Sequence, residues 1–144
     1  MKRINLSAPR MVGNELKYVQ EAFESNWIAP LGPFVNRLEE DIKKLVGIEA
    51  AVALNSGTSA IHLALIEAGV GKGDIVLCSD LTFTASANPI RYCGATPVFI
   101  DSEPETYGMS PIALENAIKF YKPKAVVVAS IYGVPAKLDE IAEI

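Results

Sequence analysis

The segment Asn55-Ser56-Gly57-Thr58-Ser59-Ala60 combines residue types and spacing that point most directly to chemistry. It follows an apolar run, Ala50–Leu54, that reads as a buried strand. It opens a helix in which Ile61, Leu63, Ala64, Leu65 and Ile66 are apolar nearly all round, so the helix is expected to be buried. The first backbone N–H groups of a helix have no partner within it and need one from outside. Gly57 allows another group to come close, and Thr58 and Ser59 add hydroxyls beside the free amides. With the helix dipole behind them, these groups suit a phosphate. Ser or Thr at a helix start also serves as a plain cap, and the local pattern leaves both roles open. No Gly-Lys-Ser/Thr follows, and the three-glycine spacing of a dinucleotide fingerprint is missing, so neither of those phosphate motifs applies.

A second candidate is Leu81-Thr82-Phe83-Thr84-Ala85-Ser86, which follows the apolar run Ile75–Leu77. Ligands of open α/β sheets collect beyond the carboxyl ends of the strands, so this segment and Ser56–Ser59 are expected to open on one edge. Phe83 can stack there on a flat ring, or it can be ordinary core. The single histidine, His62, lies inside the apolar helix and reads as structural; with no second histidine, no metal site is expected. Asp101, Glu103 and Glu105 fall in a loop that reads as solvated. No lysine sits in an evident apolar pocket that would lower its pKa towards that of a nucleophilic amine.

These residues need elements to position them. Leu16, Val19 and Phe23 recur at helical spacing after the possible caps Gly13 and Asn14. Ser25–Pro33 breaks the pattern with two prolines and a glycine. A second amphipathic helix carries Phe34, Val35, Leu38, Ile42, Leu45 and Val46 on one stripe, with i,i+4 pairs Glu39–Lys43 and Glu40–Lys44 expected on the other, and ends at Gly47. Beyond it, strands at Ala50–Leu54, Ile75–Leu77, Pro97–Ile100 and Ala125–Ala129 alternate with helices at Thr58–Ala68, Phe83–Tyr92 and Pro111–Phe120. Val126-Val127-Val128 is apolar at successive positions, as in a strand buried on both faces. The fold class expected is α/β: three layers, a mostly parallel sheet with helices on both faces. The organisation expected is an N-terminal helical segment over 1–48 and a large, incomplete α/β domain over 49–144. The final helix, starting at Lys137, stops without a glycine or proline, which predicts a longer parent protein.

Composition narrows the class. Half of the 144 residues are hydrophobic and 21% are charged, enough for a core and unlike a disordered chain. The net charge of −4 and the absence of a basic stripe argue against nucleic acid as a partner. Cys78 and Cys93 sit in apolar segments without metal-ligand spacing and read as reduced, buried thiols. No apolar run approaches the ~20 residues of a membrane span. Met1–Asn5 lacks the apolar core of a signal peptide, so a soluble, cytoplasmic chain is expected.

Taken together, Asn55 to Leu65, Thr82-Phe83, Gly94 to Asp101 and Tyr132-Gly133 resemble, in order and spacing, the sugar-nucleotide aminotransferases, a pyridoxal-phosphate-dependent family that also contains sugar dehydratases. The stretch from Gly13 to Gly32 looks especially like transaminases that make 4-amino sugars for bacillosamine-type glycans. The resemblance implies the aspartate-aminotransferase fold (fold type I) and a homodimer with its active sites at the subunit interface. It implies pyridoxal 5'-phosphate as cofactor, with Gly57, Thr58 and Ser59 at its phosphate and Phe83 stacked on its ring. It implies a nucleotide-sugar held by Asn26, Trp27, Ile28, Ala29 and Gly57, with glutamate as amino donor. The Schiff-base lysine and the aspartate that pairs with the pyridinium nitrogen lie beyond position 144 in family members. No catalytic residue is therefore expected within this chain, and alone it is expected to be inactive. Ser130 departs from the histidine found in many relatives. A sugar dehydratase on the same fold, or a stand-alone phosphate-binding α/β module, are the alternative readings.

Overall fold

The computed structural model describes residues 9–144, so Met1–Asn5 lies outside the described residues. The chain divides into two compact units, the first ending at Ala53 and the second spanning Leu54–Ile144.

The first unit holds two helices, α1 (Glu15–Glu24) and α2 (Pro33–Val46). Asn14 is the N-cap of α1, but its side chain caps nothing; Glu15 instead accepts hydrogen bonds from the Val12 and Gly13 amides. Pro33 at the start of α2 and left-handed Gly47 at its end follow the usual Pro-in, Gly-out pattern. Neither helix buries a residue; the apolar stripe is present, but Leu45 at its end is 81% exposed. The expected pairs Glu39–Lys43 and Glu40–Lys44 are not formed. Lys43 bonds to Glu40 at 2.8 Å, three residues back, because Glu39 accepts the Ala53 amide at 2.9 Å.

That bond also corrects the reading of Ala50–Leu54, which is not a strand in this structure. A strand exists by pairing its backbone with a neighbour. The sheet pairs only three others among the described residues, and the Ala53 amide is spent on a side chain.

The second unit runs α3 (Gly57–Glu67), β1 (Ile75–Ser79), α4 (Thr84–Tyr92), β2 (Thr96–Ile100), α5 (Pro111–Tyr121), β3 (Ala125–Val127) and α6 (Leu138–Ala142). The strands are parallel in the order β2-β1-β3. β1 is central, and Val76, Leu77 and Cys78 are all 0% exposed. Val76 and Cys78 face a layer made with Leu65 and Ile61 of α3 and Ala87 and Ile90 of α4. Leu77 faces the opposite layer, with Leu114 and Ala117 of α5, Met109, and Ile141 of α6. Helices therefore cover both faces of β1, whereas Val126 of β3 is exposed, so the burial on both faces expected from Val126-Val127-Val128 is not met there. Burying one such side chain contributes about 1.5–3 kcal/mol, so β1 alone anchors both layers. Burial also pushes the Cys78 thiol up to about 11, which makes it an inert core group; both cysteines are free.

The two edges of this sheet differ. Thr96 donates to Asp74 O, and Asp80 donates to Ile100 O, so the even-numbered residues of β2 bond to β1. Pro97 then falls where its missing N–H would face outwards, which blunts that edge. On β3, Lys124 donates to Ile75 O, which leaves the Ala125 and Val127 amides pointing away from β1.

α3 is less buried than its composition predicts. Only Leu65 is fully buried, while Leu63 and Ile66 are exposed, because α4 and the sheet cover one side of the helix only.

Gly108 marks the tightest approach in this unit: a Cβ there would lie 2.6 Å from Ala136 Cβ and 2.9 Å from its Cα. Gly108→Ala is expected to lower stability by about 1–3 kcal/mol, the usual cost of overpacking, in a denaturant titration. Gly57→Ala, with nothing within 4 Å of the new Cβ, should lower it far less. Equal losses would contradict this packing.

Candidate functional site

The chain leaves β1 to build β2 on one side, then returns across the sheet to build β3 on the other. α4 lies on one face and α5 on the other. This reversal opens a crevice at the carboxyl end of β1, the place where open α/β sheets bind ligands. Ser79, 2% exposed, closes its base: its Oγ accepts the Ala129 amide at 3.0 Å and so ties β1 to the chain after β3. Asp80 to Phe83 then leave the edge. Thr82 Oγ1 and Ser86 Oγ are 2.8 Å apart and hold the turn into α4. Phe83, the N-cap of α4, is 73% exposed. It is not core; its ring is free to meet a flat partner. A depression of about 330 Å³ lies beside it, lined by Asp80, Thr82, Thr84, Arg91 and Phe99 among others.

α3 brings its amino end to the same edge. Val70 donates to Leu65 O and Gly69 to Ile66 O, a left-handed glycine stop that turns the chain back at once into β1. The helix therefore runs antiparallel to β1 and starts near the carboxyl edge. Ser56 is the N-cap; its Oγ accepts the Ser59 amide at 3.2 Å and lies 3.0 Å from Ser59 Oγ, which donates to Asn55 Oδ1 at 2.8 Å. The cap and the anion site thus share one turn. The Ser59 amide is engaged, whereas the Gly57 and Thr58 amides have no hydrogen-bond partner among the described residues. The space beside Gly57 is open. Two free amides, the Thr58 hydroxyl, the dipole of an eleven-residue helix and an exposed aromatic ring on one edge fit a phosphorylated aromatic cofactor.

Asn26, Trp27, Ile28 and Ala29 belong to the first unit, Gly57 to Ser59 and Phe83 to the second. Asn26 has φ 60 and ends α1: its amide donates to Phe23 O, and the Trp27 amide donates to Ala22 O at 3.0 Å. That double bond is a complete helix stop, with asparagine tolerating the left-handed position. Trp27 lies over Gly32, where a Cβ would meet its ring at 2.6 Å. Both residues thus hold the loop's shape, while Asn26, Trp27 and Ile28 stay exposed.

His62 is half-buried and meets Tyr92 edge-on at 5.5 Å, which supports the structural reading. Among the described residues no cluster of metal-binding side chains occurs.

The acidic loop is a correction. Glu103 is not solvated: it is 8% exposed and accepts hydrogen bonds from the Thr106 hydroxyl and from the Thr106 and Glu105 amides. Lys137 completes the shell, 3.4 Å from Glu103 Oε2 and 2.8 Å from Glu105 Oε2. The Thr106 hydroxyl above all, then the backbone amides and Lys137, hold the Glu103 carboxyl down at about 2. Glu103-x-x-Thr106 within a loop was the available signal; Lys137 is too distant in sequence to have given one.

An open parallel α/β sheet with an anion-ready helix and a free aromatic ring on its carboxyl edge defines a class of cofactor-binding folds. Comparison then gives the family: residues 9–144 match the DegT/DnrJ/EryC1/StrS aminotransferase family, and the chain belongs to it. It is 55% identical to EpsN of Bacillus subtilis (strain 168), whose description as a pyridoxal phosphate-dependent aminotransferase is provisional; the match covers 99% of this chain and 38% of that protein. It is 40% identical to the GDP-perosamine synthase of Caulobacter vibrioides over 100% of this chain and 38% of that one. The solved PLP form of Spr1654 from Streptococcus pneumoniae, a provisionally named sugar aminotransferase, superposes with a TM-score of 0.84 at 31% identity, covering 99% of this chain and 36% of that one. The chain therefore spans under two fifths of the length of these relatives. Among the described residues no helix is long and apolar enough to cross a membrane.

The Glu103 carboxyl, lowered from 4.5 to about 2, stabilises the folded state fully above the unfolded value and loses that contribution as pH falls through the folded one. Lys137 has the opposite sign: its pKa is raised, chiefly by Glu105, so its share is present at neutral pH and lost only in strong base. Wild type should lose its stability advantage over Glu103→Gln between pH 4.5 and about 2 in acid-unfolding curves. An advantage that stays constant over that window contradicts the assignment.

Proposed function

We propose that this chain is the N-terminal part of a pyridoxal-phosphate-dependent aminotransferase that moves an amino group from glutamate to a nucleotide-linked 4-keto sugar in surface-glycan biosynthesis. The observation that carries the reading is the amino end of α3, where the Gly57 and Thr58 amides are free beside open space on the carboxyl edge of the sheet. Family membership, and likeness to a synthase named for a GDP-linked amino sugar, support it.

In this reading the Gly57 and Thr58 amides and the Thr58 hydroxyl would hold the cofactor phosphate, the Ser59 hydroxyl would join them by turning from Asn55 Oδ1, and Phe83 would stack on the ring. When bound, pyridoxal phosphate supplies the electron sink that amino transfer requires. Phe83 limits water on one face, and the Ser79 bond to Ala129 keeps the crevice floor from shifting as substrates exchange. The lysine that holds the cofactor and the acid opposite its ring nitrogen come from beyond Ile144, so this chain alone does not turn over. The whole protein acts as a cytoplasmic homodimer.

The finer assignment is a UDP-linked 4-keto-6-deoxy amino sugar of the bacillosamine type, contacted by Asn26 to Ala29 of the first unit. Asn26 is both the helix stop and the proposed sugar contact, so alanine there would confuse the two roles. Asn26→Gly keeps the left-handed backbone and removes only the amide. In the whole protein it should raise the KM for the keto sugar about tenfold, the effect of losing one hydrogen bond of ~1.4 kcal/mol, and spare the half-reaction with glutamate. An unchanged KM would leave Asn26 a helix stop only. Strong activity on amino-acid keto acids alone would overturn the sugar assignment.

A further inference from the structure

We propose that Glu103 is a positioning residue: with Lys137 it straps the segment after β2 to the segment after β3, closing the carboxyl-edge crevice on its α5 face and leaving the α4 face as the way in. The inference rests on reading that edge as the cofactor site.

β2 and β3 do not touch, because β1 lies between them. Beyond the sheet their continuations meet. Lys137 reaches Glu103 and Glu105, and the backbone at Gly108 lies against Ala136 so closely that no side chain fits. Met109, 1% exposed, belongs to the cluster of Leu77, Leu114 and Ile141, which puts the crossing on the α5 face of β1.

Each side of the strap is braced. The Glu103 amide donates to Gly108 O at 2.9 Å and the Tyr107 amide to Glu103 O at 3.1 Å, so residues 103–108 close on themselves. The Ala136 amide donates to Ser130 Oγ at 3.0 Å, and the Val134 amide to Ile131 O at 3.1 Å. Tyr132 and Gly133, both at positive φ, form the tip of that turn. The turn is thus held at one end by Ser79 through Ala129 and at the other by the strap. Among the described residues of this unit no ion pair of this kind spans the other face, where Phe83 is exposed.

A carboxylate is required at this point. Glu103 accepts from two amides and a hydroxyl and faces an ammonium. Glutamine keeps the shape but replaces one acceptor oxygen with a donor that would face other donors.

Hydrogen exchange on the whole protein separates strap from general stability. Glu103→Gln should speed exchange about tenfold or more in 101–110 and 130–137, as expected for a lost charged hydrogen bond, with α3 and α4 unchanged. Lys137→Met should do the same, and the double variant should add little. Pyridoxal phosphate should leave both single variants faster than wild type. Uniform acceleration, or loosening of 101–110 without 130–137, would overturn the strap. The expected exchange pattern with an unchanged cofactor off-rate would overturn its role in closing the site. If wild type takes up no pyridoxal phosphate, the cofactor reading fails, and the exchange pattern still decides whether the strap exists.

Discussion

Burial of β1 from Val76 to Ser79 is the constraint on which the second unit depends. A parallel strand has no short way to its neighbour, so each new strand costs a helical crossover. Because β1 is paired on both sides and covered on both faces, the crossovers must divide between the faces. The reversal after β2 follows from that division. It leaves a gap at the carboxyl end of β1 into which no strand can run, and there the first turns of α3 and α4 and the loops after β2 and β3 gather. The candidate site is a by-product of how the strand is buried.

Polar groups at that edge divide into those spent on structure and those left free. Ser79, Glu103 and Thr106 are satisfied by protein partners. The Gly57 and Thr58 amides have no partner among the described residues, and the apolar Phe83 ring beside them stays exposed. The burial cost for Glu103 is more than offset by donors from its own turn and by Lys137, as its lowered carboxyl pKa shows. Rigid surroundings and a few unsatisfied groups are what a pre-formed ligand site needs.

Much of this was legible in the sequence where the signal was local. The alternation of apolar runs and helical stretches placed β1, β2, β3 and the helices between them. The helix read from Pro111 does start there and Gly47 does end α2, since starts and stops act within one turn. The failures came where an outcome depends on a distant partner. Ala50–Leu54 has strand composition, but a strand is made by its neighbour, and Glu39 took the Ala53 amide. α3 has the composition of a buried helix, yet one side alone is covered. Glu103 looked like any loop carboxylate, because Lys137 and the contact of Gly108 with Ala136 are tertiary facts. Asn26 gave no local signal of its left-handed backbone or of the stop it gives α1, which depend on the Ala22 and Phe23 carbonyls.

The most direct test is a crystal structure of the whole protein with pyridoxal phosphate. The account predicts phosphate oxygens about 3 Å from the Gly57 and Thr58 amides, normal hydrogen-bond distance, with the Phe83 ring stacked on the pyridine. A phosphate bound elsewhere, with those two amides still facing solvent, would contradict it.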